Sequence, residues 1–462
     1  MRARGAILLI SCYELGHQPF HLASLSAMLE QAGYAPVLID TAVEMLPDEV
    51  ISDARFVGIA VPMHTALRLG EQLAHRICRI NPSAHICFYG LYALLNAQHL
   101  LHDTIDSAIG GEYEVPLLKL VHALEEGLPL SIPGVYTRSA SSGPSLERTP
   151  FIIPDRSHLP PLQRYARLEW HGELRLAGYT EATRGCKHTC QHCPITPIYH
   201  GRFFAVPPHI VLADIRAQVA LGARHITFGD PDFWNGPTHA LRITRAMHHE
   251  FPEVTFDATI KIEHILKHRH LLAEMKDLGC AFIVSAVESL NNTVLEQLDK
   301  GHTATDVIEA FDLTEQAGIA LRPSLLPFSP WETLESYIEL LNFFEARHLI
   351  EYVDPVHLSI RLLIPPGSAL LDTMAPHLLG ELDPAAYTYR WRHLDARMDQ
   401  LHEKIAALVE TTEQSKADPV ETFFQVKALA LALQGQDFSV SHAMQHYGTR
   451  KILPHLTETW FC

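Results

Sequence analysis

The sequence predicts an α/β protein. An N-terminal doubly wound, Rossmann-like domain spans 1–130, a linker with a hairpin 131–170, a partial (β/α)6 barrel 171–378, and a mainly helical region 379–462. Two βα rhythms and the break between them predict this order. Apolar runs of strand length alternate with longer amphipathic stretches in each half, and a segment rich in Pro, Ser, Gly and Arg separates the halves.

In the first half the strand signals are AILLIS, PVLID, FVGIAVPM, HICFYG and AIGGEYE, with helical stretches from His17 to Ala32, through Ile77, and along EVPLLKLVHALEE. Parallel sheets of this kind bind ligands beyond the carboxyl ends of their strands. Those ends carry Cys12, Tyr13 and Glu14; Met63, His64 and Thr65; Tyr89, Gly90 and Leu91; and Gly110, Gly111 and Glu112. This set suits a bound cofactor, although glycines there also serve simply to close tight turns.

The second series opens with LAGYTEATRG and continues through HITFGD, VTFDATI, CAFIVSAVES, ALRPSLLPF and VHLSIRLLIPPG, six strand signals separated by helices. From Leu379 the strand signal fades, and RMDQLHEKIAALVETTE and VETFFQVKALALAL read as helices.

Length and composition bound the function. A chain of 462 residues, 47% hydrophobic and 19% charged, is globular and long enough for two or three cores. No apolar run reaches the ~18 residues needed to span a bilayer. The first apolar run breaks at Cys12 to Glu14 and reads as a strand, not a signal peptide, so a cytoplasmic protein with no membrane partner is expected. A net charge of −17 argues against nucleic acid, whose binding needs a basic patch. Three of the eight cysteines fall within eight residues and the others are scattered, which is no disulfide framework. The thirty histidines are dispersed along helix faces and loops.

The chemistry-bearing stretch is Thr183-Arg184-Gly185-Cys186-Lys187-His188-Thr189-Cys190-Gln191-His192-Cys193-Pro194, directly after the first strand of the second series. Three thiolates on one loop can hold three corners of an iron–sulfur cube and leave the fourth iron open to a small molecule. A zinc site is the alternative, with His188 or His192 as a fourth ligand.

The CxxxCxxC spacing after a first barrel strand resembles the radical S-adenosylmethionine (SAM) superfamily, with His192 where members carry an aromatic residue. The resemblance implies a [4Fe–4S] cluster on Cys186, Cys190 and Cys193, SAM chelated at the open iron, and reductive cleavage of SAM to a 5′-deoxyadenosyl radical. It also implies SAM contacts. Asp230 or Asp232, in Phe228-Gly229-Asp230-Pro231-Asp232-Phe233, stands where members receive the SAM ammonium, with an N-cap the other reading of Asp232. Glu288 stands where the ribose or carboxylate is bound. Arg322 is placed to hold the SAM carboxylate or to form a structural salt bridge. Ile364-Pro365-Pro366-Gly367 resembles the turn near adenine.

The first domain, with Gly110-Gly111-Glu112-Tyr113-Glu114 similar to a GEGE-type turn, resembles the cobalamin-binding domain of the cobalamin-dependent group. No DxHxxG motif is present, and a vestigial domain without cobalamin is the alternative. The resemblance implies Tyr13, Glu14, His64, Gly90, Gly110, Gly111 and Glu112 as cofactor-binding positions. It also implies methyl transfer to an unactivated carbon of a small-molecule substrate, with a flavodoxin or ferredoxin as reductant. Transfer of a 3-amino-3-carboxypropyl group to a soft element such as arsenic keeps the same architecture, and a non-enzymatic iron–sulfur carrier or sensor is the contrasting class. The end, Leu456 to Cys462, is similar to the approach to the tail of CUAEP/CCAEP radical SAM proteins, which would make Cys462 a catalytic thiol, truncated at a selenocysteine codon read as a stop. An ordinary terminal cysteine is the other reading.

Overall fold

The computed structural model describes residues 1–147, 150–448 and 450–458. Its first sheet is built from β1 (Ile7–Ser11), β2 (Val37–Asp40), β3 (Phe56–Ala60), β4 (His85–Tyr89), β5 (Ser107–Ile109) and β6 (Val135–Thr137), in the order β2-β1-β3-β4-β5-β6. All neighbours are parallel except β5 and β6. Continuous apolar runs form these strands because both faces are covered: Leu8 and Ile10 point into one core, Ile7 and Leu9 into another. Helices Phe20–Gln31 and Glu114–Glu126 supply the second core, and helix His64–Ile80 the first, so the domain is doubly wound.

The second sheet begins with a hairpin, β7 (Arg167–Trp170) and β8 (Glu173–Thr180), turned through His171 and Gly172. Both turn residues have positive φ, +50° and +79°, the left-handed pair that a two-residue hairpin loop requires. After β8 the chain makes the short antiparallel pair β9 (Thr183–Gly185) and β10 (Phe203–Ala205), which brackets the cysteine loop. The sheet then continues through β11 (His225–Phe228), β12 (Thr255–Thr259), β13 (Cys280–Glu288) and β14 (Ala320–Leu325), each parallel to its neighbour, to make an open half-barrel. Its helices are cut by local signals. Thr303 with Asp306, and Thr333 with Ser336, form reciprocal capping boxes that start helices Ala304–Gln316 and Leu334–Ala346.

The sixth barrel unit differs from the sequence expectation. VHLSIRLLIPPG forms a 3₁₀ turn over Pro355–Leu358 and then a single parallel bridge, Phe328 with Arg361. Its remaining backbone groups pair outward with a further hairpin, β15 (Leu379–Asp383) and β16 (Thr388–Trp391): Tyr389 N donates to Ile364 O, and Ile364 N to Thr388 Oγ1. Two consecutive prolines, which lack an N–H to donate, end the pairing there. The C-terminal region thus opens with a hairpin before its helices Ala396–Ser415, Pro419–Ala432 and Val440–His446, and the first two of these pack into the barrel core. Finally β17 (His455–Leu456) pairs antiparallel with β7 at the sheet's other edge. Among the described residues no helix is long and apolar enough to cross a membrane.

Candidate active site

Gly185, at the end of β9, has φ +74°, and a Cβ there would lie 2.5 Å from the Tyr199 ring and 2.6 Å from Arg202 O. Only glycine allows the chain to leave β9 in this direction, and that exit starts the cysteine loop. Cys190 is buried, and Cys186 and Cys193 are partly so. Burial pushes the Cys186 thiol up to about 12 and the Cys193 thiol up to about 11, with the neighbouring sulfurs adding to the rise. Three thiols on one loop, within electrostatic reach of one another, suit a cationic metal centre, which would make thiolates of them. Asn235 steadies the loop: its Oδ1 accepts from Lys187 N at 3.2 Å and lies 3.8 Å from Cys186 Sγ, while its Nδ2 donates to Gly185 O.

The two loop histidines face the acids at the ends of β11 and β13. His188 Nε2 is 3.5 Å and His264 Nδ1 2.6 Å from Asp232 Oδ2, while Lys261 Nζ donates to His188 Nδ1 at 3.1 Å. His192 Nε2 lies 3.2 Å from Glu288 Oε1. Each loop imidazole thus has one nitrogen hydrogen-bonded and one buried without a hydrogen-bond partner, and the three thiols supply the sulfur donors that an iron–sulfur cluster takes. Burial raises the Asp232 carboxyl, but the imidazoles of His188 and His264 hold it well below the usual range. Its Oδ1 also accepts from Trp234 N, the N-cap arrangement.

Lys300 is a residue the sequence did not single out. Its Nζ, almost fully buried, donates to Glu288 Oε1 at 3.0 Å and faces Cys190 and Cys193. Burial opposes ionisation of Glu288, yet Lys300 and His192 keep it well below the usual carboxylate range. Glu288 itself has φ +65°, in the left-handed region that non-glycine residues seldom occupy.

The remaining predicted positions have protein partners. Asp230 is buried and accepts from Ala182 N at 2.9 Å and Thr183 Oγ1 at 2.6 Å, which ties β9 to β11. Burial pushes its carboxyl up to about 7. Arg322 donates to Asp354 at 2.6 Å, the salt-bridge reading of that residue. In the first domain, His64 Nε2 meets Ala386 O at 2.7 Å, at the tip of the β15–β16 hairpin. Gly90 has φ +115° and Gly111 +74°, and a Cβ on Gly111 would fall 2.4 Å from Ser145 O. Gly110 packs against Leu94. Glu112 and Glu114 bind Arg184 of the cysteine loop.

Tyr13 and Glu14 line a cavity of about 830 Å³ at the carboxyl ends of β1 and β2, together with Cys12, Thr41, Tyr165 and Glu458. Tyr13 donates to Glu458 at 2.7 Å, and Glu14 accepts from Phe20 N and approaches His21. Asp40 of the same strand end accepts from Tyr165, and burial pushes its carboxyl up to about 6. Cys462 lies outside the described residues.

Comparison with known proteins bears on this geometry. Residues 180–344 match the family model described as the radical SAM superfamily. An uncharacterized methyltransferase of Pyrococcus horikoshii is 22% identical over 340 residues, 70% of this chain and 72% of that protein. Among solved structures, the radical SAM methyltransferase TsrM of Kitasatospora setae, with cobalamin and a [4Fe–4S] cluster bound, aligns with TM-score 0.64 at 16% identity. The alignment covers 96% of this chain and 98% of that one. The cobalamin-dependent SAM radical enzyme OxsB, with aqua-cobalamin bound, aligns with TM-score 0.70 at 16% identity over 96% of this chain and 74% of its own. At such identity the likeness is one of fold, and it extends over both domains.

Proposed function

We propose that the chain, whose residues 180–344 match the radical SAM superfamily, is an enzyme that transfers a methyl group to an unactivated carbon of a small molecule, with cobalamin held by the first domain. The observation that carries the reading is the pairing of a three-cysteine loop beyond β8 with a doubly wound domain packed against that same loop. When bound, the cluster supplies one electron to SAM, and the corrinoid supplies a methyl carrier; the protein's part is to hold, orient and exclude water.

Cys186, Cys190 and Cys193 would ligate three irons. Lys300 offsets the negative charge of the thiolates from a buried position, and Glu288 keeps Lys300 there. Asp232 fixes His188, and through it the segment between the first two cysteines. The strand-end cavity lined by Tyr13, Glu14 and Thr41 is suited to part of a corrinoid, since it opens at the carboxyl ends of a doubly wound sheet and offers hydroxyl and carboxylate partners.

Anaerobic reconstitution with iron, sulfide and hydroxocobalamin, then dithionite and SAM, tests the proposal by product analysis. It expects four irons and one cobalamin per chain, with 5′-deoxyadenosine released. Release of 5′-methylthioadenosine instead would mean cleavage toward the aminocarboxypropyl group, and retention of no cobalamin would remove the corrinoid from the reading.

A further inference from the structure

The first domain grips the cysteine loop at both of its ends through a single acid. Arg184, two positions before Cys186, is buried with its side chain 9% exposed. Its Nη1 donates to Glu114 Oε1 at 2.6 Å and to Glu112 Oε2 at 3.4 Å, and its Nε donates to Glu181 at 3.0 Å. Ser24 Oγ lies 3.4 Å from Nη2. Aromatic faces of Phe20, Tyr113 and Phe151 surround the guanidinium carbon at 5.3 to 5.9 Å. Tyr199, six positions after Cys193, donates to the other oxygen of Glu112 at 2.9 Å. Glu112 therefore holds the strand that enters the loop and the helical turn that leaves it.

Two features separate this from ordinary packing. One guanidinium faces three carboxylates in a buried site, an acid surplus that stability alone does not favour. The turn that carries Glu112 is also locked from behind: Glu112 N donates to Ser145 O at 2.8 Å, and Gly111 admits no side chain against that carbonyl. The acid is thus anchored in the first domain's backbone, and its reach ends on the loop. A planar guanidinium held by several acceptors fixes orientation as well as distance.

We infer that Glu112, with Arg184 and Tyr199, is a positioning clamp that sets the location of the cluster loop relative to the first domain. It acts through the loop, and its loss spreads the loop over a range of positions without removing a cluster ligand. The inference rests on the loop carrying a cluster, and not on cobalamin being bound.

The test uses the full chain with Cys78→Ser and Cys462→Ser, reconstituted with iron and sulfide, and a dithionite-resistant trityl radical attached at Asp53→Cys on the exposed side of the first domain. Pulsed electron paramagnetic resonance after dithionite reduction then reads the label-to-cluster distance. Wild type is expected to give one narrow distribution. Glu112→Gln and Arg184→Gln should at least double its width and slow 5′-deoxyadenosine release tenfold or more, with iron per chain unchanged. Arg184→Lys, which keeps charge and loses the fork, should fall between. An unchanged width and unchanged SAM cleavage in variants that retain iron would overturn the clamp. If Arg184→Gln does not fold, Glu112→Gln and Tyr199→Phe, each removing one contact, carry the same decision. A wild-type protein that binds no four-iron cluster would instead defeat the functional reading, and the iron assay shows that before any variant is made.

Discussion

In the half-barrel, the loop beyond β8 carries three thiols, with a buried ammonium beside them and both loop imidazoles turned away to strand-end acids. In the first domain, the corresponding strand ends are mostly answered by the protein itself: His64 by Ala386, Gly111 by Ser145, and Glu112 by Arg184 and Tyr199. What remains open there is the side of β1 and β2. Both sheets present polar side chains at the carboxyl ends of their strands, and among the described residues it is the barrel loop that brings three cysteines together. The first domain directs part of its strand-end chemistry at the barrel, where Glu112 and Glu114 meet Arg184 and Glu112 also meets Tyr199.

The sharpest way to break this contrast is to remove a thiol. Cys186→Ala, Cys190→Ala or Cys193→Ala should each lower SAM cleavage by ~10³-fold or more, read as 5′-deoxyadenosine with iron content measured in parallel. If all three variants kept wild-type turnover, the donor set would lie elsewhere.

A smaller effect is expected from Lys300→Met. It leaves Glu288 buried with His192 as its remaining close partner, and breaking such a pair costs about 3–5 kcal/mol, visible in denaturant unfolding. The reconstituted cluster should also become harder to reduce, because a positive charge beside the thiolates favours the reduced state. A potential that does not move would place Lys300 in a purely structural role.

Gly90→Ala tests the other sheet. With φ at +115° and Val61 backbone atoms 3.1 Å from the new Cβ, the substitution should cost about 1–3 kcal/mol of stability. Cobalamin retention that falls far more than stability does would mark Gly90 as a cofactor contact, and parallel losses would mark it as a turn.

The last prediction concerns pH. Burial raises Asp230 from its ordinary range to about 7, so between roughly pH 4 and 7 the folded state keeps a proton that the unfolded state has lost. Its contribution to stability is therefore present at low pH and declines as pH rises through that window, by at most about 1.4 kcal/mol per pH unit. Asp230→Asn removes the titration, and wild type should lose stability relative to this variant as pH rises from 4 to 7. Parallel stability curves would show that Asp230 is ionised in the fold.

The cysteine loop was legible because its meaning is local: three thiols in eight residues, after a strand, need no partner to be read. The βα rhythm was legible for the same reason, since burial on both faces writes continuous apolar runs. The sixth strand misled because Ile360 to Ile364 has a strand's composition, while the groups that pair with it belong to a hairpin more than twenty residues later. Lys300 and Arg184 were opaque as partners because charge pairing across 12 and 70 positions leaves no periodic trace. Glu112 was noticed as part of a turn, yet its counterpart lay inside the very motif that drew attention to itself.

The pairing of β17 with β7 joins residues nearly three hundred positions apart, and Thr457 and Glu458, just beyond β17, help to wall the cavity of the first domain. On a ribosome adding ~5–20 residues per second, Tyr13 emerges on the order of half a minute before Glu458 is made. The cleft of the first domain therefore lacks two of its wall residues until the last described stretch of the chain has been made.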